Sequence, residues 1–112
     1  MTGHLPHDSL IFIIRCVKER KILWTYHVNL RLASRYISRK EILDAVDSMK
    51  IIEEYPVDKY LPSCLIYAET KARVFHIHIA MDVAGDNVRI ITAYEPDPVE
   101  WDENFKKRRK KQ

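Results

Sequence analysis

The sequence predicts an α+β domain in which N-terminal helices pack on one face of a twisted antiparallel β-sheet of about four strands, followed by a basic C-terminal tail. Apolar residues recur at helical spacing as far as Met49, and beyond it short runs rich in β-branched and aromatic residues take over. Helices first and strands afterwards segregate into the two layers of an α+β fold. A chain of 112 residues, 46% hydrophobic and 31% charged, buries one modest core without disulfides or metals, and its composition is not that of a disordered or fibrous protein. No internal repeat or flexible linker divides it, so residues 1–105 form one domain and residues 106–112 the tail.

After Pro6, Asp8 or Ser9 caps a first helix whose apolar residues Leu10, Ile11, Ile13, Ile14 and Val17 share a face. The charged stretch Lys18 to Lys21 ends it. Ile22 to Thr25 then leads into a second, weaker helical segment, Tyr26 to Tyr36, with Val28, Leu30, Leu32 and Ala33 as its apolar members. Ser38 followed by Glu41 has capping-box spacing and opens a third helix, with Ile42, Leu43, Val46 and Met49 on one stripe. The strands are Ile51 to Tyr55, Cys64 to Ala68, Val74 to Met81 and Val88 to Tyr94. Pro56, Pro62, Lys71 and the Gly85-Asp86-Asn87 turn separate them, and Pro96 and Pro98 follow the last; the prolines read as strand-end and turn punctuation.

Composition also narrows the chemistry. Cys16 and Cys64 lack a CxxC spacing and sit in apolar stretches, so they read as buried, reduced thiols. Two glycines, Gly3 and Gly85, cannot build a P-loop or a dinucleotide fingerprint, which removes nucleotide-cofactor enzymes from the leading candidates. The run Leu10 to Ile14 is too short to cross a bilayer and the N-terminus lacks a secretory pattern, so a cytoplasmic protein without a membrane partner is expected. The net charge of +3 is unevenly placed. Lys106, Lys107, Arg108, Arg109, Lys110 and Lys111 are six of the 19 basic residues, leaving 13 to face 16 acidic ones. That run suits condensation onto phosphates, and equally describes a solvated tail.

Two groups of residues suit acid–base or phosphate chemistry. In the third strand Phe75, Ile77, Ile79 and Met81 point to the helices, which places His76 and His78 on the opposite, less covered face. There they serve as acid, base or phosphate binder, or as surface histidines without a role. A metal held by the pair lacks nearby Asp, Cys or further His in sequence, so no metal is assigned. On the second helix His27, Arg31 and Arg35 stand four residues apart and form a basic stripe suited to a phosphodiester, although many solvated helix faces carry such a stripe.

The arrangement as a whole resembles one family. Its residues are Trp24-Thr25-Tyr26-His27 with Arg31 and Arg35; Ile51 to Pro56 with Asp58 and Lys59; Pro62-Ser63-Cys64-Leu65; Phe75-His76-Ile77; and Ile90 to Pro98 with Trp101. Together they are similar to a prokaryotic domain-of-unknown-function group in the RelE-like superfamily, related to the MqsR and BrnT toxins, over about Ser9 to Arg109. The resemblance implies a fold of the barnase, EndoU, colicin and RelE kind and a toxin of a toxin–antitoxin pair. It also implies a metal-independent endoribonuclease that needs no cofactor, acts on messenger RNA, on the ribosome or off it, and is silenced by a cognate antitoxin. His27, Arg31, Arg35, His76 and Tyr94 match the family's polar positions, whereas His78 stands where an apolar residue is commoner. The implied roles are proton transfer for His76 and His27, phosphate binding for Arg31 and Arg35, an auxiliary acid or stacking surface for Tyr94, and RNA binding for residues 106–111. Arg20 or Lys21 stands where the family often has a glycine turn. A non-catalytic RNA- or protein-binding module on the same fold is the alternative.

Overall fold

The computed structural model describes residues 8–57 and 61–109. Gly3, Pro6, Asp58, Lys59, Lys110 and Lys111, all singled out in the sequence, lie outside the described residues. Helix α1 spans Ser9–Lys18, strand β1 Ile22–Trp24, α2 Tyr26–Ser34 and α3 Arg39–Asp44, with one 3₁₀ turn at Val46–Ser48. Strands β2 (Lys50–Tyr55), β3 (Ser63–Glu69), β4 (Val74–Asp82) and β5 (Asn87–Tyr94) follow.

Each helix begins where the sequence provides a side-chain acceptor. Asp8 accepts the Ile11 N–H, Thr25 accepts the Val28 N–H, and Ser38 and Glu41 form the reciprocal capping box. The ends of α1 and α2 are left-handed. Arg20 (φ 62°) and Tyr36 (φ 56°) turn the chain so that the Lys21 N–H reaches the Cys16 carbonyl at 2.8 Å and the Ile37 N–H reaches that of Leu32 at 2.9 Å. These are Schellman ends with a large residue where glycine is usual. At the first of them Arg20 also donates its guanidinium to the Val17 carbonyl at 2.9 Å, a second bond on an oxygen that already accepts the Arg20 backbone N–H at 3.2 Å.

The sheet has five strands in the order β1-β5-β4-β3-β2 and is mixed, because β1 runs parallel to β5. This corrects the expectation of about four strands, all antiparallel. Ile22 to Trp24, read as a lead-in, pairs with Val88 to Ile90; three residues are too few for an alternation signal, and the pairing is visible only in the tertiary structure.

One face of the sheet meets the helices. Cys64, Ile66 and Ala68 of β3, Phe75, Ile77, Ile79 and Met81 of β4, and Val88, Ile90 and Ala93 of β5 form one buried cluster with Ile13, Cys16 and Val17 of α1, Val28 and Leu32 of α2, and Ile42 of α3. Both cysteines are free and buried. Fully burying one isoleucine contributes about 1.5–3 kcal/mol, whereas an exposed pair such as Lys40–Asp44 contributes about 0.2–1 kcal/mol, so this cluster sets the stability. Exposed pairs instead fix local geometry, as where Asp86 in the β4–β5 turn binds Arg15 of α1 and Lys21.

Tyr36 is 86% exposed in its left-handed conformation, so its ring returns little packing for the strain. Tyr36→Gly is expected to raise stability by about 0.5–1 kcal/mol, read as a higher denaturant midpoint at unchanged slope. A lower midpoint would mean that the ring holds a contact outweighing the backbone strain.

Candidate functional site

The second face of the sheet is where polar chemistry collects. Strand register places Tyr67, His76 and Tyr94 in one row across β3, β4 and β5, and Leu65, His78 and Thr92 in the next. Strand β2 shifts register between Ile51 and Glu53, which brings Glu53 opposite Leu65 and Tyr55 opposite Ser63, so both point to this face.

A strap, residues 96–109, folds back across these rows. Asp97 accepts the Val99 N–H, and its carbonyl takes the N–H groups of Glu100 and Trp101; the Asp102 carboxylate accepts the N–H groups of Asn104 and Lys106. Paired bonds from Asp102 N–H to Lys107 O and from Arg109 N–H to Glu100 O, both 2.8 Å, close the strap on itself. Trp101 then projects onto the sheet, 1% exposed, with its ring edge-on to His76 at 4.3 Å between centroids. Arg108 lies over the Trp101 ring at 4.6 Å and holds Glu53 through two bonds of 2.7 and 3.1 Å. Tyr55 donates its hydroxyl to the same carboxylate. Lys106 sits 4.9 Å over the Tyr67 ring.

These contacts set the electrostatics. The Arg108 guanidinium holds the Glu53 carboxyl below the ordinary carboxylate range, with the Tyr55 hydroxyl assisting against the cost of burial. Burial, then the bond to Glu53, pushes Tyr55 up to about 12. Tyr94 is raised chiefly by burial, opposed by Arg108 and Arg35. His76 is lowered chiefly by burial, opposed by its bond to the Phe105 carbonyl and by Glu53. Because a carbonyl only accepts, the 2.6 Å contact assigns the proton to His76 Nε2 and leaves Nδ1 as a buried acceptor without a hydrogen-bond partner.

The sequence-derived candidates separate into two groups. His76 and Tyr94 are brought together as cross-strand partners with ring centroids 5.5 Å apart. The face carrying them is not open, however, and His76 is 0% exposed, which corrects the expectation of an accessible histidine. Trp101 and Phe105, seven and eleven residues past Tyr94 at the end of β5, supply the cover that strand alternation did not reveal. Arg35 reaches the same end of the sheet, donating to Thr92 Oγ1 at 2.9 Å and to the Ala93 carbonyl at 2.8 Å on the part of β5 that β1 leaves unpaired. His27 and Arg31 remain on the exposed surface of α2, and Arg31 has no carboxylate partner among the described residues. His78 is half-buried, its Nε2 2.8 Å from Ser63 Oγ.

Within the basic run, Lys106 and Arg108 are engaged as above and Arg109 donates to the Pro98 carbonyl at 2.7 Å; Lys107 is exposed. Glu53, Tyr55 and Trp101 join the cluster without standing among the sequence-derived candidates. For Glu53 and Tyr55 the available signal was their two-residue spacing in β2; for Trp101, a large aromatic in an otherwise polar stretch. Clefts of about 480 Å³ beside Lys21 and Asp86 and about 640 Å³ beside Asp47 and Thr70 do not touch this cluster.

A histidine whose folded pKa lies below its ordinary 6.5 takes up fewer protons than the unfolded chain as the pH falls past that value. Its contribution is therefore complete above pH 6.5 and is lost as the pH falls towards the folded pKa. Stability measured by urea unfolding should decline over that interval in the wild-type chain and decline less steeply in His76→Phe; equal slopes would mean that His76 is not held neutral.

A family model described as Domain of unknown function (DUF4258) matches residues 24–95, from the last residue of β1 to just past β5, leaving α1 and the strap on either side. No curated protein and no solved structure matches the chain. The model spans well over half of the 112 residues, and the chain belongs to this DUF4258 family.

Proposed function

We propose that this protein is a metal-independent endoribonuclease of the toxin type, kept silent by a cognate antitoxin, with its reaction centre on the second face of the sheet. The observation that carries the reading is the His76–Tyr94 pair, flanked by Arg35 at the β5 edge and by Arg108 and Glu53 on the β2 side. Cleavage of RNA by its own 2′-hydroxyl needs a base, an acid and a cation, and these side chains are the corresponding groups.

His76, neutral with a bare Nδ1, is suited to take the 2′-hydroxyl proton as that oxygen bonds to phosphorus. Tyr94, its pKa raised by burial, keeps the proton it would give to the departing 5′-oxygen as the P–O bond breaks. Arg35 would lie against the phosphoryl oxygens. His27 and Arg31, farther along α2, would hold the incoming backbone rather than enter the chemistry.

The covered state of His76 favours a second reading, an RNA-binding module without catalysis. Purified protein incubated with single-stranded RNA in the presence of a chelator separates the two. The expected result is cleavage leaving 2′,3′-cyclic phosphate and 5′-hydroxyl ends, slowed by about 10²-fold or more in Tyr94→Phe and in Arg35→Ala with the fold intact. RNA binding without cleavage would replace catalysis by the binding reading. A folded protein that neither binds nor cleaves RNA would remove both.

A further inference from the structure

The geometry points to the strap, residues 96–109, as a cover that single-stranded RNA itself displaces, exchanging its phosphates and bases for the strap's own contacts. This rests on the RNA reading above and names how the covered site is reached. The strap binds the sheet through two kinds of contact, and RNA offers a replacement for each.

The first kind is cationic. Arg108 is tied to Glu53 with 55% and 25% of the respective side chains exposed, so the pair is open to competition by a solvent-borne anion. Lys106 is held by no carboxylate among the described residues, only by the Tyr67 ring. A phosphate accepts from a guanidinium with the same bidentate geometry as a carboxylate, so a nucleotide backbone can take Arg108 from Glu53 and Lys106 from Tyr67. Arg109 and Lys107 lie beside them with no carboxylate partner among the described residues.

The second kind is aromatic. Trp101 contacts His76 edge-on and lies under Arg108. A nucleobase substitutes for the Arg108 guanidinium by stacking on the Trp101 face, and stacking of this kind tolerates any base.

Two features show that the closed arrangement is not fully satisfied. His76 Nδ1 is buried without a hydrogen-bond partner, and Phe105, whose carbonyl binds Nε2, holds a left-handed φ of 58°. Lifting the strap exposes the imidazole to water or to a ribose hydroxyl and relieves both.

The two rings 4.3 Å apart give a direct reporter, the nuclear Overhauser contact between the Trp101 indole and the His76 imidazole. The probe is a short 2′-O-methylated oligoribonucleotide, which binds without being cut, with its binding followed by fluorescence anisotropy. The expected result is loss of the Trp101–His76 contact in step with binding. Glu53→Gln, which keeps a hydrogen-bonding side chain and removes the competing charge, should bind the oligonucleotide roughly two- to fivefold more tightly, the worth of a half-exposed ion pair. Binding with the contact retained, or no tightening in Glu53→Gln, would overturn the strap mechanism and leave the RNA reading standing. No binding by either protein at low salt would overturn both.

Discussion

Strand β4 has to be buried on both faces, and the rest of the molecule is arranged around that requirement. It lies at the centre of the sheet, and Phe75, Ile77, Ile79 and Met81 take one side into the helical core. The other side carries His76, which three helices packed on one face cannot reach. The C-terminal strap solves this by laying Trp101 over it, and a polar face that would otherwise be wet becomes a second small interior. Every perturbed group there follows from that cover. His76 is kept neutral, Tyr94 and Tyr55 keep their protons, and Glu53 is held ionised chiefly by Arg108, which outweighs the cost of its burial.

The same cover changes what the cationic C-terminus means. A run of lysine and arginine is ordinarily a solvated tail, yet here Lys106, Arg108 and Arg109 are spent on an aromatic ring, a carboxylate and a carbonyl. Under the proposed RNA reading, positive charge is divided between Arg31 on α2, which has no carboxylate partner among the described residues, and the strap cations, which would be released only on exchange. The family match ends at residue 95, so the strap and the matched domain are separable in sequence although they are interlocked in space.

Much of the fold was legible because local rules and tertiary packing agreed. Ser38 and Glu41 announced a capped helix, the alternation in β4 identified its core face, and Gly85 to Asn87 marked the hairpin turn. What the sequence hid was long-range. Pairing of Ile22 to Trp24 with β5 joins residues more than sixty positions apart, and three residues carry no period of their own. The site was half legible for the same reason. Cross-strand register made neighbours of His76 and Tyr94, but the strap that seals them is held by side-chain pairs, Arg108 with Glu53 and Trp101 with His76, that span 55 and 25 positions. Four-residue spacing places His27, Arg31 and Arg35 on one stripe, but Arg35, at the helix end, turns to the unpaired edge of β5.

The most direct measurement is a pH titration of the His76 imidazole by nitrogen-15 NMR in the RNA-free protein. A ring sealed beneath Trp101 should show the neutral tautomer protonated at Nε2, remain neutral as the pH passes 6.5, and exchange that proton slowly with solvent. A ring that titrates at its ordinary value with rapid proton exchange would mean that the strap does not cover the second face in solution, and the arrangement described here would not be that of the free protein.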